Sequence, residues 1–158
     1  MGQEVTLLTI LQSLGFTALF VGLIGLDRQR RNKIAGLTTH LLVALGASGL
    51  TIVQRMLVFD AIMFANENPH LAANINFETQ RLVAQIVSGI GFLGTGAILK
   101  TNGYISGLTT ASTLWISAII GIIFGYGYFL LGTTLSIMIL FVLTIIKNVF
   151  RHHVDDHH

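Results

Sequence analysis

Polar and charged side chains recur inside long apolar runs of this chain, at spacings that gather several of them on one helical face. Arg81, Gln85, Ser88 and Thr95 share one stripe of a 3.6-residue helix and give it a hydrogen-bonding surface. Asp27, Arg28, Arg30, Arg31 and Lys33 crowd the end of an earlier run, and Asp27 and Arg31 stand one turn apart, close enough to pair if the helix continues. Thr39 and His40 stand near the start of another run, and Thr109 and Thr110 open a fourth, followed by Ser112, Thr113 and Ser117. In hydrocarbon such groups are costly unless partnered. They therefore act either as glue between helices or as the lining of a narrow polar path or ligand site. Serine and threonine hydroxyls can also bond back to carbonyls of their own helix, so polarity alone does not make a pore.

Gly89, Gly91, Gly94 and Gly96 share the run with the Arg81 stripe. Each glycine costs a helix interior about 1 kcal/mol against alanine, a cost offset in membranes where small residues let backbones approach closely. The series predicts a packing seam, with Asp27 and the neighbouring arginines at its mouth. It is no nucleotide fingerprint, lacking the preceding strand and the later acid. No serine, histidine and acid arrangement suggests hydrolysis, and no cofactor motif is present, so the reading is non-enzymatic. The tail 151–158 carries nitrogen and oxygen donors of the type that zinc or nickel takes, but its terminal position and resemblance to an expression tag argue against a physiological metal site.

These groups need elements to hold them. Of 158 residues, 53% are hydrophobic and 10% charged, too few charges to coat a soluble domain. The mean hydropathy is +0.75. The runs 5–26, 37–59, 82–99, 108–124 and 128–146 each approach the roughly 20 residues that cross a bilayer as a helix. They lack the period-two alternation of membrane strands. The expectation is an all-α, polytopic transmembrane bundle of five spans over 1–150, with the short cytosolic tail 151–158. Arg28, Arg30, Arg31 and Lys33 in the first loop, Lys100 in the third, and Lys147 with Arg151 after the last span alternate with loops that lack them. That pattern places the amino terminus outside and the carboxyl terminus in the cytosol. The loop 60–80 then lies outside, and it could alternatively hide part of a helix. The stretch 56–65 is apolar but for Asp60 and is broken by Asn66-Glu67-Asn68-Pro69, as an amphipathic segment on the outer membrane surface would be. The basic residues form no stripe suited to nucleic acid; the partners expected are the bilayer, another membrane complex, and a second copy through the glycine faces.

Gly36-Leu37-Thr38-Thr39 recurs 71 residues later as Gly107-Leu108-Thr109-Thr110, and Phe20-Val21-Gly22 is echoed by Phe92-Leu93-Gly94. These words suggest a parallel two-helix repeat with a fifth helix appended, an arrangement that transporters use with sites between the halves.

Three blocks carry a family resemblance. Asp27-Arg28-Gln29-Arg30-Arg31 followed by AGLTTHLLVALGAS (35–48), then RLVAQIVSGIGFLGTGAILK (81–100), then GLTTASTLWISAIIG (107–121), resemble the signature blocks of the MgtC/SapB family. The resemblance implies a bacterial inner-membrane protein, commonly of five spans. It also implies links to magnesium limitation, intracellular survival of pathogens, restraint of the ATP synthase and control of phosphate uptake. Asp27 stands where family members usually carry glutamate, and Thr109 where well-studied members carry a functionally important asparagine. Few residues follow the last span, so the chain resembles the short SapB-like branch without the soluble carboxyl-terminal domain. Two functions follow as expectations: a regulator that binds another membrane complex during magnesium or acid stress and in virulence, or a small transporter with a path near Gln85, Ser88, Thr95 and 109–112.

Overall fold

The computed structural model describes residues 5–72, 81–101 and 104–146. The His-rich tail and the 73–80 part of the second loop lie outside the described residues. What is described is a helical bundle with one short hairpin. Helix α1 is Leu7–Arg30. It opens on a capping box, in which Thr6 Oγ1 accepts from the Thr9 amide and Thr9 Oγ1 from the Thr6 amide. It closes at Arg31 and Asn32, the latter at φ 51°. Arg28 and Arg30 occupy the last turn, where the helix dipole favours cations.

Helix α2, Leu37–Glu67, has 31 residues and runs past the expected end at 59. The segment expected to lie separately on the surface is its continuation. Asn68 breaks it because a residue before proline is pushed out of the α region, and Asn68 sits at φ −127° and ψ 67°. A single turn α3, Pro69–Ala72, follows. Helix α4, Arg81–Gly96, ends before the expected 99 because the chain turns into a hairpin. Strand β1 (Leu99–Thr101) pairs antiparallel with β2 (Tyr104–Ser106), Lys100 opposite Ile105. Helix α5 is Leu108–Gly125. Gly127 (φ 85°) makes the tight turn into α6, Phe129–Phe141, which passes into a π-helix at Val142–Ile146. Three helices, α1, α2 and α5, are long and apolar enough to cross a membrane. The 16 residues of α4 reach about 24 Å at 1.5 Å each, short of a full crossing.

Helices α2 and α5 run parallel side by side, His40 meeting Thr113 near one end and Gln54 meeting Tyr126 near the other. Both Gly-Leu-Thr-Thr words begin helices at the same end of the bundle, with Gly36 and Gly107 as the N-cap residues. Contact between α2 and α5 is at backbone distance. A Cβ on Gly121 would fall 2.2 Å from the Ala44 carbonyl oxygen, and one on Gly125 would fall 2.8 Å from that of Ser48. Helix α1 meets α2 likewise at Gly25, against the Leu37 backbone. Phe16, Phe20, Phe124 and Phe129 cluster with ring centroids 5.1–6.2 Å apart and join α1, α5 and α6.

The distribution of polarity is inverted relative to a soluble domain. Ser13, Thr17, Arg28, His40, Ser48, Thr51, Thr113, Ser117 and Ser136 are buried, whereas Leu7, Leu42, Phe92, Leu130 and Met138 face outward. An outer surface of large apolar side chains suits contact with hydrocarbon or with another apolar protein surface rather than water.

Candidate functional site

The buried polar groups form a connected seam where α1, α2 and α5 meet. Arg28 comes from the last turn of α1 and is 1% exposed. Its Nη2 donates to Thr110 Oγ1 at 3.1 Å, in the first turn of α5. One turn further on, the Thr113 hydroxyl lies 2.9 Å from the Thr110 carbonyl and 3.2 Å from His40 Nε2. His40 Nδ1 is 2.7 Å from the Gly36 carbonyl. A carbonyl only accepts, so Nδ1 carries the hydrogen of neutral His40, and the Thr113 hydroxyl supplies Nε2 or Thr110 O, one at a time. Deeper in the bundle, Thr17 and Ser117 bond back to the carbonyls of Ser13 and Thr113, and Thr17 reaches Ser48 at 3.4 Å.

The far end is closed by side chains that sequence reasoning left outside the candidate set. Gln54 Oε1 accepts the Val83 amide in the first turn of α4 at 3.1 Å, and its Nε2 donates to the Tyr126 hydroxyl at 3.2 Å. Arg55 Nη1 donates to the Gly125 carbonyl at 3.0 Å. The signal available was a glutamine and an arginine within an otherwise apolar turn. A recess of about 420 Å³ lined by Val83, Ala84, Tyr126 and Tyr128 opens on this side.

Of the residues singled out from spacing, the structure brings Arg28, His40 and Thr110 together. Thr39 and Thr109 stand exposed beside them, on the first turns of α2 and α5. Asp27 pairs with Arg31 at 2.8 Å. Arg81, Gln85, Ser88 and Thr95 do not join this seam; all four are exposed on α4, and Thr95 bonds to its own helix at Gly91. Within the chain, the glycines of α4 take little part in packing. Only Gly94 packs, against Ala111, while a Cβ on Gly89, Gly91 or Gly96 would meet nothing within 4 Å. Close packing belongs instead to Gly25, Gly121, Gly125 and Gly132. Among the described residues, no three of His, Cys, Asp and Glu converge on a metal-sized site.

The Asp27–Arg31 pair is partly solvated, its side chains 18% and 24% exposed. Such pairs contribute about 0.2–1 kcal/mol. Arg31→Gln is therefore expected to lower stability by no more than about 1 kcal/mol, read as a small shift in the thermal midpoint of protein in detergent. A loss several times larger would mean that the other contacts of Arg31 carry more than this pair.

A model of the MgtC family matches residues 14–152. The chain is 38% identical over 128 residues to "Putative magnesium transporter YhiD" of Escherichia coli (strain K12), covering 81% of this chain and 56% of that one. It is 43% identical over 106 residues to "Protein MgtC" of Brucella abortus (strain 2308), covering 67% and 38% respectively. It is 42% identical over 118 residues to an uncharacterized protein of Haemophilus influenzae Rd, covering 74% and 47%. The chain thus spans about half the length of the curated relatives it matches. No solved structure matches it. With the family model matched from within α1 to beyond the last described helix, this chain, a helical membrane protein, belongs to the MgtC family.

Proposed function

We propose that this protein is a non-enzymatic regulator of the bacterial inner membrane, acting during magnesium or acid stress by lateral contact with another membrane complex. The outward face of α4 carries the reading. Ala84, Gln85, Ser88, Gly89, Gly91, Thr95 and Gly96 are exposed on a helix whose small residues meet no neighbour of their own chain at Gly89, Gly91 and Gly96. Lipid gives such a face little dispersion energy, whereas a second helix can approach it closely and bond to Gln85 and Ser88. The basic end of the bundle, with Arg28, Arg30, Arg31, Lys33 and Lys100, faces the cytosol under the positive-inside rule. Tyr104 on the hairpin and Tyr128 after α5 are 81% and 63% exposed at opposite ends, as aromatic anchors at two interfaces would be.

A transporter is the second reading, favoured by the name of the Escherichia coli relative. Two features weigh against a magnesium path through the buried seam. Arg28 is a fixed positive charge within it, and the Gly121–Ala44 and Gly125–Ser48 contacts leave no gap between α2 and α5.

Purified protein in liposomes is expected to pass no more magnesium than empty vesicles. Ser88→Leu, on an exposed position, is expected to shift stability by less than about 0.5 kcal/mol yet abolish complementation of a deletion strain at low magnesium. Pull-down of the ATP synthase, the partner that the family resemblance implies, should be lost with it. A magnesium flux abolished by Gln85→Leu would instead establish the transporter.

A further inference from the structure

Three observations converge at the first turn of α5. Arg28 is 1% exposed, yet its Nε and Nη1 have no hydrogen-bond partner. Burying a guanidinium with unmet donors is among the more costly arrangements in a protein. The neighbouring Asp27 offsets it only in part, because its Oδ1 is engaged by Arg31 and no carboxylate hydrogen-bonds to Arg28 among the described residues. Second, the guanidinium is held by Thr110 at the N-terminal end of an 18-residue helix. The dipole of α5 is positive there, so a cation raises the local potential rather than relieving it. Third, that end carries no side-chain cap. In α1 the Thr6–Thr9 box meets the first turn, and in α2 the Leu37 amide donates to Gln29 Oε1 at 3.2 Å. No N-cap side chain meets α5, whose N-cap is Gly107.

We infer that the first turn of α5 and the Arg28 guanidinium form a binding site for a phosphate oxyanion. Arg28 Nη2 has two hydrogens and Thr110 takes one. The other remains paired with Nε–H on one edge or with Nη1–H on the other, so one two-pronged edge is left for two oxygens of a tetrahedral anion. The first-turn amides of α5, which no N-cap side chain meets, supply further donors to the same charge. Leu108 and Thr109 are exposed there, as are Thr38 and Thr39 on the adjoining α2 turn, and the anion approaches over them. Asp27 Oδ2 is also buried and unpartnered. It disfavours a fully ionised anion and favours one that keeps a proton to share, as phosphate and phosphomonoesters do near neutral pH. The same chemistry is offered by free phosphate and by the phosphate of an anionic lipid headgroup. The inference does not depend on the regulatory reading.

Binding is tested on the whole protein. In delipidated detergent solution, inorganic phosphate is titrated against chloride at constant ionic strength while the thermal midpoint is followed. In parallel, the midpoint is compared between phosphatidylcholine nanodiscs and nanodiscs doped with phosphatidic acid. A saturable upward shift with inorganic phosphate identifies free phosphate as the source; a shift with phosphatidic acid alone identifies the headgroup. Arg28→Lys keeps the charge but loses the planar fork, and is expected to weaken binding by about tenfold or more. Thr110→Val keeps the volume but frees the guanidinium, and is expected to weaken it too. Arg30→Gln, exposed on the same helix, is expected to bind as wild type. No saturable shift from either probe in the wild-type protein would overturn the site, whether or not the variants fold. So would a shift unchanged in Arg28→Lys.

Discussion

Gly121→Val is expected to leave no stably folded protein. A Cβ at this position would sit 2.2 Å from the Ala44 carbonyl oxygen and 3.0 Å from its carbon. A clash with a side chain can be relieved by a rotamer change, but a carbonyl in the middle of α2 moves only with the helix. Overpacking typically costs 1–3 kcal/mol where neighbours can adjust; against backbone the cost here is expected at about 3 kcal/mol or above. Separating α2 from α5 would also undo the contacts of Gly125 with Ser48 and Thr51 one turn on. Denaturation of purified protein in detergent, together with the yield in the membrane fraction, reads the effect. Gly89→Ala is the matched control. Nothing lies within 4 Å of its added carbon, and alanine is better by about 1 kcal/mol in a helix, so this variant is expected to be as stable as wild type or more so. Equal losses at the two positions would contradict the packing.

His40→Ala is expected to cost about 2–4 kcal/mol, the range for emptying a buried site of this size. His40 is fully buried and links the α2 cap at Gly36 to Thr113 on α5. His40→Leu refills most of the volume and removes only the polar link. Thr113 then still donates to Thr110 O, and Gly36 O still accepts the His40 backbone amide at 3.2 Å. No buried group is left unpaired, so the leucine variant is expected to lose only about 1 kcal/mol, the net worth of a neutral hydrogen bond. The thermal midpoints of the two variants check this. A leucine variant as unstable as the alanine one would mean that His40 supports more of the seam than its two bonds.

The α4 residues have the opposite character. Gln85, Ser88, Gly89 and Gly91 are exposed, so substitutions there are expected to spare the fold and to report on function alone. Stability and activity are thereby separable by helix, with α2 and α5 holding the bundle together and α4 presenting the face through which we propose it acts.

Much was legible without coordinates. A run such as 108–124 must be helical in lipid, because only a helix meets all its own backbone hydrogen bonds there, and α5 occupies Leu108–Gly125. The Asp27–Arg31 pair followed from one-turn spacing, and both Gly-Leu-Thr-Thr words begin helices because a glycine precedes each first turn. Local rules determine these features, since every atom involved lies within a few residues along the chain.

Partnership across the bundle was not legible. Periodicity identifies the polar face of a helix but not what lies opposite. Arg81, Gln85, Ser88 and Thr95 made the plainer stripe, yet they face outward, while Arg28 meets Thr110 across 82 residues and His40 meets Thr113 across 73. Glycine spacing was silent on partners for the same reason: four glycines mark α4, and within the chain close approach falls at Gly121 and Gly125. The sequence by itself determined that this chain is a bundle of membrane helices, basic at one end, with polar groups that need partners. Only the tertiary structure decided which glycines touch and which arginine is buried, because those depend on how α2 and α5 pass each other, and no local spacing encodes that crossing.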